Sequence, residues 1–439
     1  MRPPQRHSSG RRTGFRRSGA ALLGDPLCYV SAPPPQALDG GAVRAVTRPP
    51  PAYRKRIKKP RAEADYEINW VVAMKIANAK TILLSMPFEA GGTPPWSFGG
   101  KPANSFDILL VRLETNDGLV GWGEAFSRGR DIALKQTMDT RLLPLILGRD
   151  ATQISKIKHS LEFQLHNFGR ISGVEYGIAA IDIALWDLLG KACGQPLYRL
   201  LGGAYADELE VYASLMRYGN VDDVVEATRR ALDRGYRYIK LHEIGLDEIR
   251  AAVKACAGKA KVMIDVNCPW TVPEALAIAK ELQDLDLYWF EEPVWPPENY
   301  LGLARVRQQG LHRIAAGENA GSLHDFMSMI SAGAIDIAQP DVAKTGGLTE
   351  LLKIAALCEA HGVEFVPHCA LFGPGQVATI HLSAAHRSTP IFERLFCDFE
   401  VELYGDATVP KNGKIKVPTG PGLGLEPVPE ALEKFRLSV

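Results

Sequence analysis

No run of 18 consecutive apolar residues occurs anywhere in this 439-residue chain, so nothing in it reads as a membrane span. Cysteine is sparse. Seven are present, at 28, 193, 256, 268, 358, 369 and 397, with no CxxC pair and no short regular spacing, which argues against a zinc ribbon or a disulfide framework and predicts a reducing, cytoplasmic setting. No glycine fingerprint of the dinucleotide-binding kind follows any strand signal, which weakens an open-sheet reading. Net charge is almost absent as well, at +1.

That near-zero sum hides an asymmetry. Residues 1–62 carry eleven Arg and three Lys against two Asp, +12, so the remainder carries about −11. The leader is rich in Pro, Arg, Ser and Gly without periodicity, and residues 1–73 are predicted to be a disordered basic extension. A targeting role is weighed and set aside, because Asp25 and Pro26 interrupt the apolar core that a twin-arginine-like signal needs. Neither nucleic acid nor membrane is expected as a partner. Met74 is the natural start of the folded part.

What is present from Met74 onward is a sequence of two textures. "FDILLVRLET" and "LVGWGEAF" flank an Asn116-Asp117-Gly118 turn, a strong hairpin signal. Helical spacing of Ile178, Ile181, Leu185 and Leu188 follows, with Gly190 and Gly194 as stop signals. Residues 74–202 thus read as an α+β unit. After "LLGG" the chain alternates short apolar strands with Ala-rich amphipathic helices: "ELEVYASL", "YRYIKLHE", "KVMIDVN", "LYWFEEP", "HRIAAGEN", "AIDIAQPD", "VEFVPHC" and "IFERLF". Eight strands in about 200 residues predict a parallel barrel over 203–400, with 401–439 as a C-terminal segment.

Polar groups gather at the C-terminal ends of these strands: Lys240 and His242, Asp265 and Asn267, Glu291, Glu318, Asp341 and Lys344, His368, and Glu393. A barrel brings all of them to one rim, where barrel enzymes carry their catalytic groups. Asp265, Glu291 and Glu318 come from consecutive strands. Three like charges so close repel or protonate unless a cation joins them, and oxygen-only ligands suit Mg²⁺.

Taken in order, "AAIDIALWDLLGKACGQPLYRLLGG", the "IDVN" of Asp265, "FEEP" of Glu291, "AGEN" of Glu318, "QPDVAKTGG" of Asp341, "VPHCALFGPG" of His368 and Glu393 after "IF" resemble the enolase superfamily. The likeness is closest to the mandelate racemase subgroup of its mandelate racemase / muconate lactonizing enzyme family, and spans most of 74–439. The resemblance implies an α/β fold, a modified TIM barrel (β/α)7β with an N-terminal α+β capping domain to which the C-terminal segment returns. It implies Mg²⁺ on Asp265, Glu291 and Glu318, a dyad of His368 with Asp341, Lys240 holding a substrate carboxylate, and α-proton abstraction through a metal-stabilised enediolate. One position departs from the family pattern. The usual Lys-x-Lys is here Lys240-Leu241-His242, which puts His242 in the base position; the competing reading has His242 hydrogen-bonding Glu243 or a nearby carboxylate while Lys240 or His368 acts as base.

A base beside the metal and an acid opposite it predict dehydration of a sugar acid to a 2-keto-3-deoxy acid. A racemase or epimerase of a 2-hydroxy acid shares the first step, and a metal- and ligand-binding barrel without turnover is the alternative outside enzymes. Cycloisomerases are set lower, because their pattern lacks the His/Asp dyad. Glu393 is expected to donate to the substrate carboxylate, which requires a raised pKa. The substrate is a small-molecule carboxylate, with contacts expected from Lys240, Asn267, Phe88, Trp96 and Arg128. Phe88, Trp96 and Phe98 are read as part of a mobile Gly/Pro-rich loop, and Arg128 and Arg130 as binders of distal groups, or else as a solvated surface pair. Lys344 is read as neutralising the rim. A homo-oligomer is expected, assembled through the sides of the barrel.

Overall fold

The computed structural model describes residues 74–438 apart from 93–95, 99, 100, 130, 388 and 390, with backbone alone at 96–98 and 101–103. Residues 1–73, the side chains of Trp96 and Phe98, and Arg130 therefore lie outside the described residues.

A 14-residue strand, Ile76–Glu89, opens the fold and pairs antiparallel with Ser105–Thr115, which pairs with Val120–Ala125. The turn between the last two forms as its sequence predicts. Gly118 takes φ +88° and donates its N–H to the Thr115 carbonyl at 3.0 Å. The helix Gly173–Cys193 packs across Val120–Ala125 so closely that a Cβ on Gly123 would stand 1.8 Å from the Ala180 carbonyl oxygen. The helix ends at Gly194 in the left-handed conformation, φ +62°, as its sequence predicts. It passes through Gly190, however, which is a packing glycine rather than a stop, because a Cβ there would meet the Gly422 backbone at 2.5 Å.

Eight parallel strands follow: Glu208–Ser214, Tyr238–Leu241, Lys261–Asp265, Leu287–Glu291, Ile314–Ala316, Ile337–Ala338, Glu364–Phe365 and Phe392–Leu395. The first seven each lead into a helix, from Val221–Asp233 after the first to Pro374–Ala385 after the seventh. Neighbours in sequence are neighbours in the sheet, and the eighth strand returns beside the first. This is the expected (β/α)7β order, curled into a barrel. Side chains bridge the seventh and eighth strands: Thr389 Oγ1 donates to the Phe365 carbonyl at 2.9 Å, and the Cys369 N–H donates to Glu393 Oε2 at 2.8 Å.

The barrel is filled from within. Tyr212, Met263, Trp289, Ala315, Ile337, Val366 and Ile391 form one buried cluster, alternate strand residues that make a floor beneath the polar strand ends. Trp289 also donates from Nε1 to Glu291 Oε2 at 2.9 Å. Truncating that indole costs about 3–5 kcal/mol through the cavity it leaves, and lowers the floor under Glu291. The C-terminal segment comes back to the opening strand, with Asp398–Phe399 pairing against Phe88–Glu89 and Leu437 donating to the Leu83 carbonyl at 2.9 Å. Among the described residues no helix is long and apolar enough to cross a membrane, and the six described cysteines are all free.

Candidate active site

Lys240 is the centre of the rim. It is fully buried, and its ammonium lies 3.3 Å from Asp265 Oδ2, 3.1 Å from Glu291 Oε1 and 2.9 Å from Glu393 Oε1. Burial alone would lower its pKa, but Glu291, then Glu393 and Asp265, outweigh that and hold it well above the ordinary lysine value. A lysine held so firmly cationic is a poor base and a good anion holder. Asp265 shows the reciprocal effect: burial would raise it, and Lys240 with His242 drives it below the usual carboxylate range.

His242 stands just past the second strand and is partly open, with 17% of its side chain exposed. Its Nδ1 donates to the Leu215 carbonyl, which fixes the tautomer and turns Nε2 toward Asp265 Oδ2, 3.1 Å away. Glu243 does not compete for it, since that carboxylate accepts the N–H groups of Tyr218 and Gly219. Asn267 takes φ +54° and donates from both its backbone and its side-chain nitrogen to Asp265 Oδ1, at 3.0 and 2.9 Å. It thus orients Asp265 while remaining exposed at the rim. Arg217, which sequence reasoning missed, donates to the His242 and Val266 carbonyls and to Asn267 Oδ1, joining the second and third strand ends. Its only signal in the sequence is a basic residue shortly after the first strand.

His368 sits across the rim, its Nδ1 2.7 Å from Asp341 Oδ2 and its Nε2 2.7 Å from Glu318 Oε2. Only an imidazolium donates both bonds. Burial would lower this pKa, yet Glu318 and Glu393 together with the bond to Asp341 push it well above the ordinary value. Asp341 is itself fixed by the Ala343 N–H at 2.7 Å. Glu318 also faces Lys344 at 3.9 Å and Asn319 Nδ2 at 3.3 Å. Asn319 in turn donates to Glu292, a buried carboxylate beside Glu291 that burial, Glu318 and Asp265 push up to about 8. The repeated Glu in "FEEP" was its signal.

Three expectations change. Glu393 is not raised: burial would raise it, but Lys240 and His368 overcome burial and hold it down at about 2, so it stands as an ionised partner of Lys240 rather than a donor. Phe88 is not on a mobile loop; it is the penultimate residue of the opening strand, 4% exposed, its ring tilted against Phe106 at 4.8 Å in a cluster that includes Phe372 and Phe399. Arg128 is no solvated surface group. It lies over the Phe126 and Phe106 rings at 4.5 and 4.9 Å and donates to the Ala370 carbonyl, two residues after His368. Beside it, Glu124 accepts the N–H groups of Gly373 and Gly375 at 3.0 and 2.9 Å, and burial pushes it up to about 7. This third missed residue was visible as a lone acid in the apolar "GWGEAF".

As they stand, Asp265 and Glu291 turn to Lys240 while Glu318 turns to His368, and among the described residues no group of three His, Cys, Asp or Glu shares a metal-holding centre. The donor chemistry nevertheless fits a hard divalent cation. Seven carboxylates (Glu124, Asp265, Glu291, Glu292, Glu318, Asp341 and Glu393) crowd around Lys240, Lys344, Arg128 and the two imidazoles. Burial and the neighbouring Asp265 push Glu291 above the carboxylate range, against the pull of Lys240 3.1 Å away.

Known proteins resemble this chain in sequence and fold. The chain matches the "Enolase C-terminal domain-like" model over residues 223–431 and the mandelate racemase / muconate lactonizing enzyme N-terminal domain over 95–202. It is 34% identical to the D-galactarolactone cycloisomerase of Agrobacterium fabrum over 384 residues, 83% of this chain and 99% of that protein. It is 30% identical to the arabinonate dehydratase of Saccharolobus solfataricus over 74% of this chain and 89% of that one. A racemase from Streptomyces coelicolor A3(2), solved with bound magnesium, superposes with a TM-score of 0.73 at 31% identity, covering 82% of this chain and all of that one. The low rank given to cycloisomerases on the His/Asp dyad thus finds no support among the relatives. The chain belongs to the mandelate racemase / muconate lactonizing enzyme family of the enolase superfamily.

Proposed function

We propose that this protein is a Mg²⁺-dependent acid-sugar dehydratase, which removes the α-proton of a sugar acid and expels the β-hydroxyl to give a 2-keto-3-deoxy acid. The observation that carries the reading is the pair of imidazoles on either side of the carboxylate set, His242 Nε2 on Asp265 and His368 Nε2 on Glu318. Relatives named arabinonate, gluconate, galactonate and xylonate dehydratase support it.

Asp265, Glu291 and Glu318 would hold Mg²⁺, which when bound supplies divalent positive charge against the substrate carboxylate. Lys240 adds a permanent cation beside that carboxylate, where negative charge grows as the α-proton leaves. His242 is the partly open imidazole; with its Nδ1–H held on the Leu215 carbonyl and Asp265 turned away from Nε2, the neutral ring takes the proton at Nε2. His368, kept protonated by Glu318 and Asp341, delivers its Nε2 proton to the departing hydroxyl, and water leaves. Asn267 and Arg217 keep Asp265 and the second strand end in register.

A second reading has a specific observation behind it. The relative matched over 99% of its own length is named a cycloisomerase. Both reactions would start with the same proton removal and break a β-oxygen bond, but isomerisation conserves mass whereas dehydration loses one water. The test is a screen of the purified protein with Mg²⁺ against sugar acids and their lactones in deuterated buffer, following α-deuteration, 2-keto product and product mass. A Mg²⁺-dependent keto acid lighter by one water supports the dehydratase. Product of unchanged mass supports the cycloisomerase, α-deuteration alone points to a racemase or epimerase, and no exchange with any acid sinks the proton-abstraction reading.

A further inference from the structure

Gln339 follows the sixth strand and is fully buried, and neither end of its side-chain amide makes a hydrogen bond. Gln376, on the helix after the seventh strand, is the one other side chain among the described residues with both polar atoms in that state. Burying an amide unpaired is costly, and an apolar side chain of like volume would fill the same space without that cost. The amide is therefore placed for a partner that is close but not yet in reach.

The strand register says which partner. Glu291 lies beside Ala315 and Ala315 beside Ile337, so Gln339, two residues past Ile337, points into the barrel one layer higher on the same wall. Between the two strands the matching inward position is Gly317, two past Ala315. It takes φ +140°, and a Cβ there would stand 2.7 Å from the Phe326 ring and 3.0 Å from the Gln339 nitrogen. No side chain therefore separates the Gln339 amide from the Glu291 carboxylate. The amide faces it, pulling with Lys240 against the burial and the Asp265 charge that raise Glu291, but it stops short of a bond. Glu291 is held from the other side: both its oxygens lie on Lys240, at 3.1 and 3.3 Å, and Oε2 also accepts from Trp289 Nε1 at 2.9 Å. A carboxylate has room for about four such partners, so one that leaves Lys240 for a cation still has lone pairs for an amide donor.

We propose that Gln339 is a positioning residue for the cation site: its Nε2 donates to Glu291 once that carboxylate turns from Lys240 to the metal, and so fixes the orientation in which Glu291 binds. This rests on the reading of Asp265, Glu291 and Glu318 as the Mg²⁺ holders. The test titrates Mg²⁺ into the metal-free full chain, wild type, Gln339→Met, Gln339→Leu and Gln339→Glu, by calorimetry and by the unfolding midpoint. Gln339→Met and Gln339→Leu should bind Mg²⁺ about 10–100-fold more weakly than wild type, the usual effect of removing a group that orients a metal ligand. Their metal-free midpoints should equal or exceed that of wild type, since no unpaired amide remains. Gln339→Glu should also bind more weakly, because a carboxylate repels Glu291; tighter binding would make position 339 a ligand itself and overturn the proposal. Unaltered affinity in the Met and Leu variants overturns this proposal alone, whereas a wild type that takes up no Mg²⁺ overturns the metal reading with it. A wild-type crystal structure with Mg²⁺ decides even if every variant misfolds. Gln339 Nε2 at about 2.7–3.2 Å from a Glu291 oxygen supports the assignment, and an amide turned instead to water or to another group overturns it.

Discussion

His242 and His368 are one chemical group in two settings. His368 is sealed, 7% exposed, between two carboxylates on opposite sides of its ring. His242 is more than twice as open and leans on a backbone carbonyl on one side, with a single carboxylate on the other. A carbonyl fixes a tautomer without supplying net charge, whereas paired carboxylates stabilise the imidazolium itself. The fold thus differentiates two identical side chains by what the neighbouring strands present to them, and the proposed acid and base roles rest on that difference.

Removing the open imidazole should have the largest effect. His242→Asn is expected to lower α-deuteration and product formation together, by about 10²–10⁴-fold, the usual contribution of a positioned base. Exchange rates read by NMR in deuterated buffer check it; unaltered exchange would transfer the base role elsewhere. His368→Asn should lower keto-acid formation by a similar factor of about 10²–10⁴ while leaving most of the exchange, because the acid is needed only after the proton has left. Equal loss of both signals would mean that the two sides are not divided as proposed.

Much of this division was legible in the sequence, and the reason is geometric. A parallel barrel brings every strand's C-terminal end to one rim, so polar residues that close apolar runs mark the site in the linear chain itself. Lys240, Asp265, Glu291, Glu318, Asp341 and His368 were all readable in that way. The ionisation of Glu393 was not, since it depends on Lys240 approaching within 2.9 Å from six strands earlier in the chain. Phe88 was misread because a Gly/Pro-rich neighbour suggests a loop, whereas the strand runs through Glu89 and buries the ring against Phe106. Gly190 likewise reads as a helix stop until its contact with Gly422 is seen.

The same contrast predicts a metal effect of intermediate size. A cation joining Asp265, Glu291 and Glu318 must draw their oxygens from Lys240 and His368, so the folded state gains a ligand that the unfolded chain cannot gather. At 100 times its dissociation constant, Mg²⁺ should stabilise the protein by about 2.7 kcal/mol, read as a raised unfolding midpoint that EDTA reverses. Asp265→Asn should blunt this gain. A midpoint indifferent to Mg²⁺ would remove these carboxylates as its site.

The smallest expected effect concerns the seam behind His368, where Glu124 accepts the N–H groups of Gly373 and Gly375 at the start of the helix Pro374–Ala385. Burial raises this carboxyl from 4.5 to about 7, opposed by the two glycine N–H groups and by Arg128. A carboxyl raised in the folded state binds more protons there than when unfolded, so its contribution to stability is complete below pH 4.5 and is lost as pH rises through about 7. Glu124→Gln keeps an acceptor for the glycines and cannot ionise. Relative to wild type, the variant should therefore gain stability between pH 5 and pH 8, by on the order of 2 kcal/mol. Other raised acids, such as Asp182 and Asp187 at about 6, titrate in both proteins and cancel in the difference. Denaturant midpoints of the two proteins across that range check the sign; a difference that stays flat, or shrinks with rising pH, would mean that Glu124 is ionised in its seam throughout.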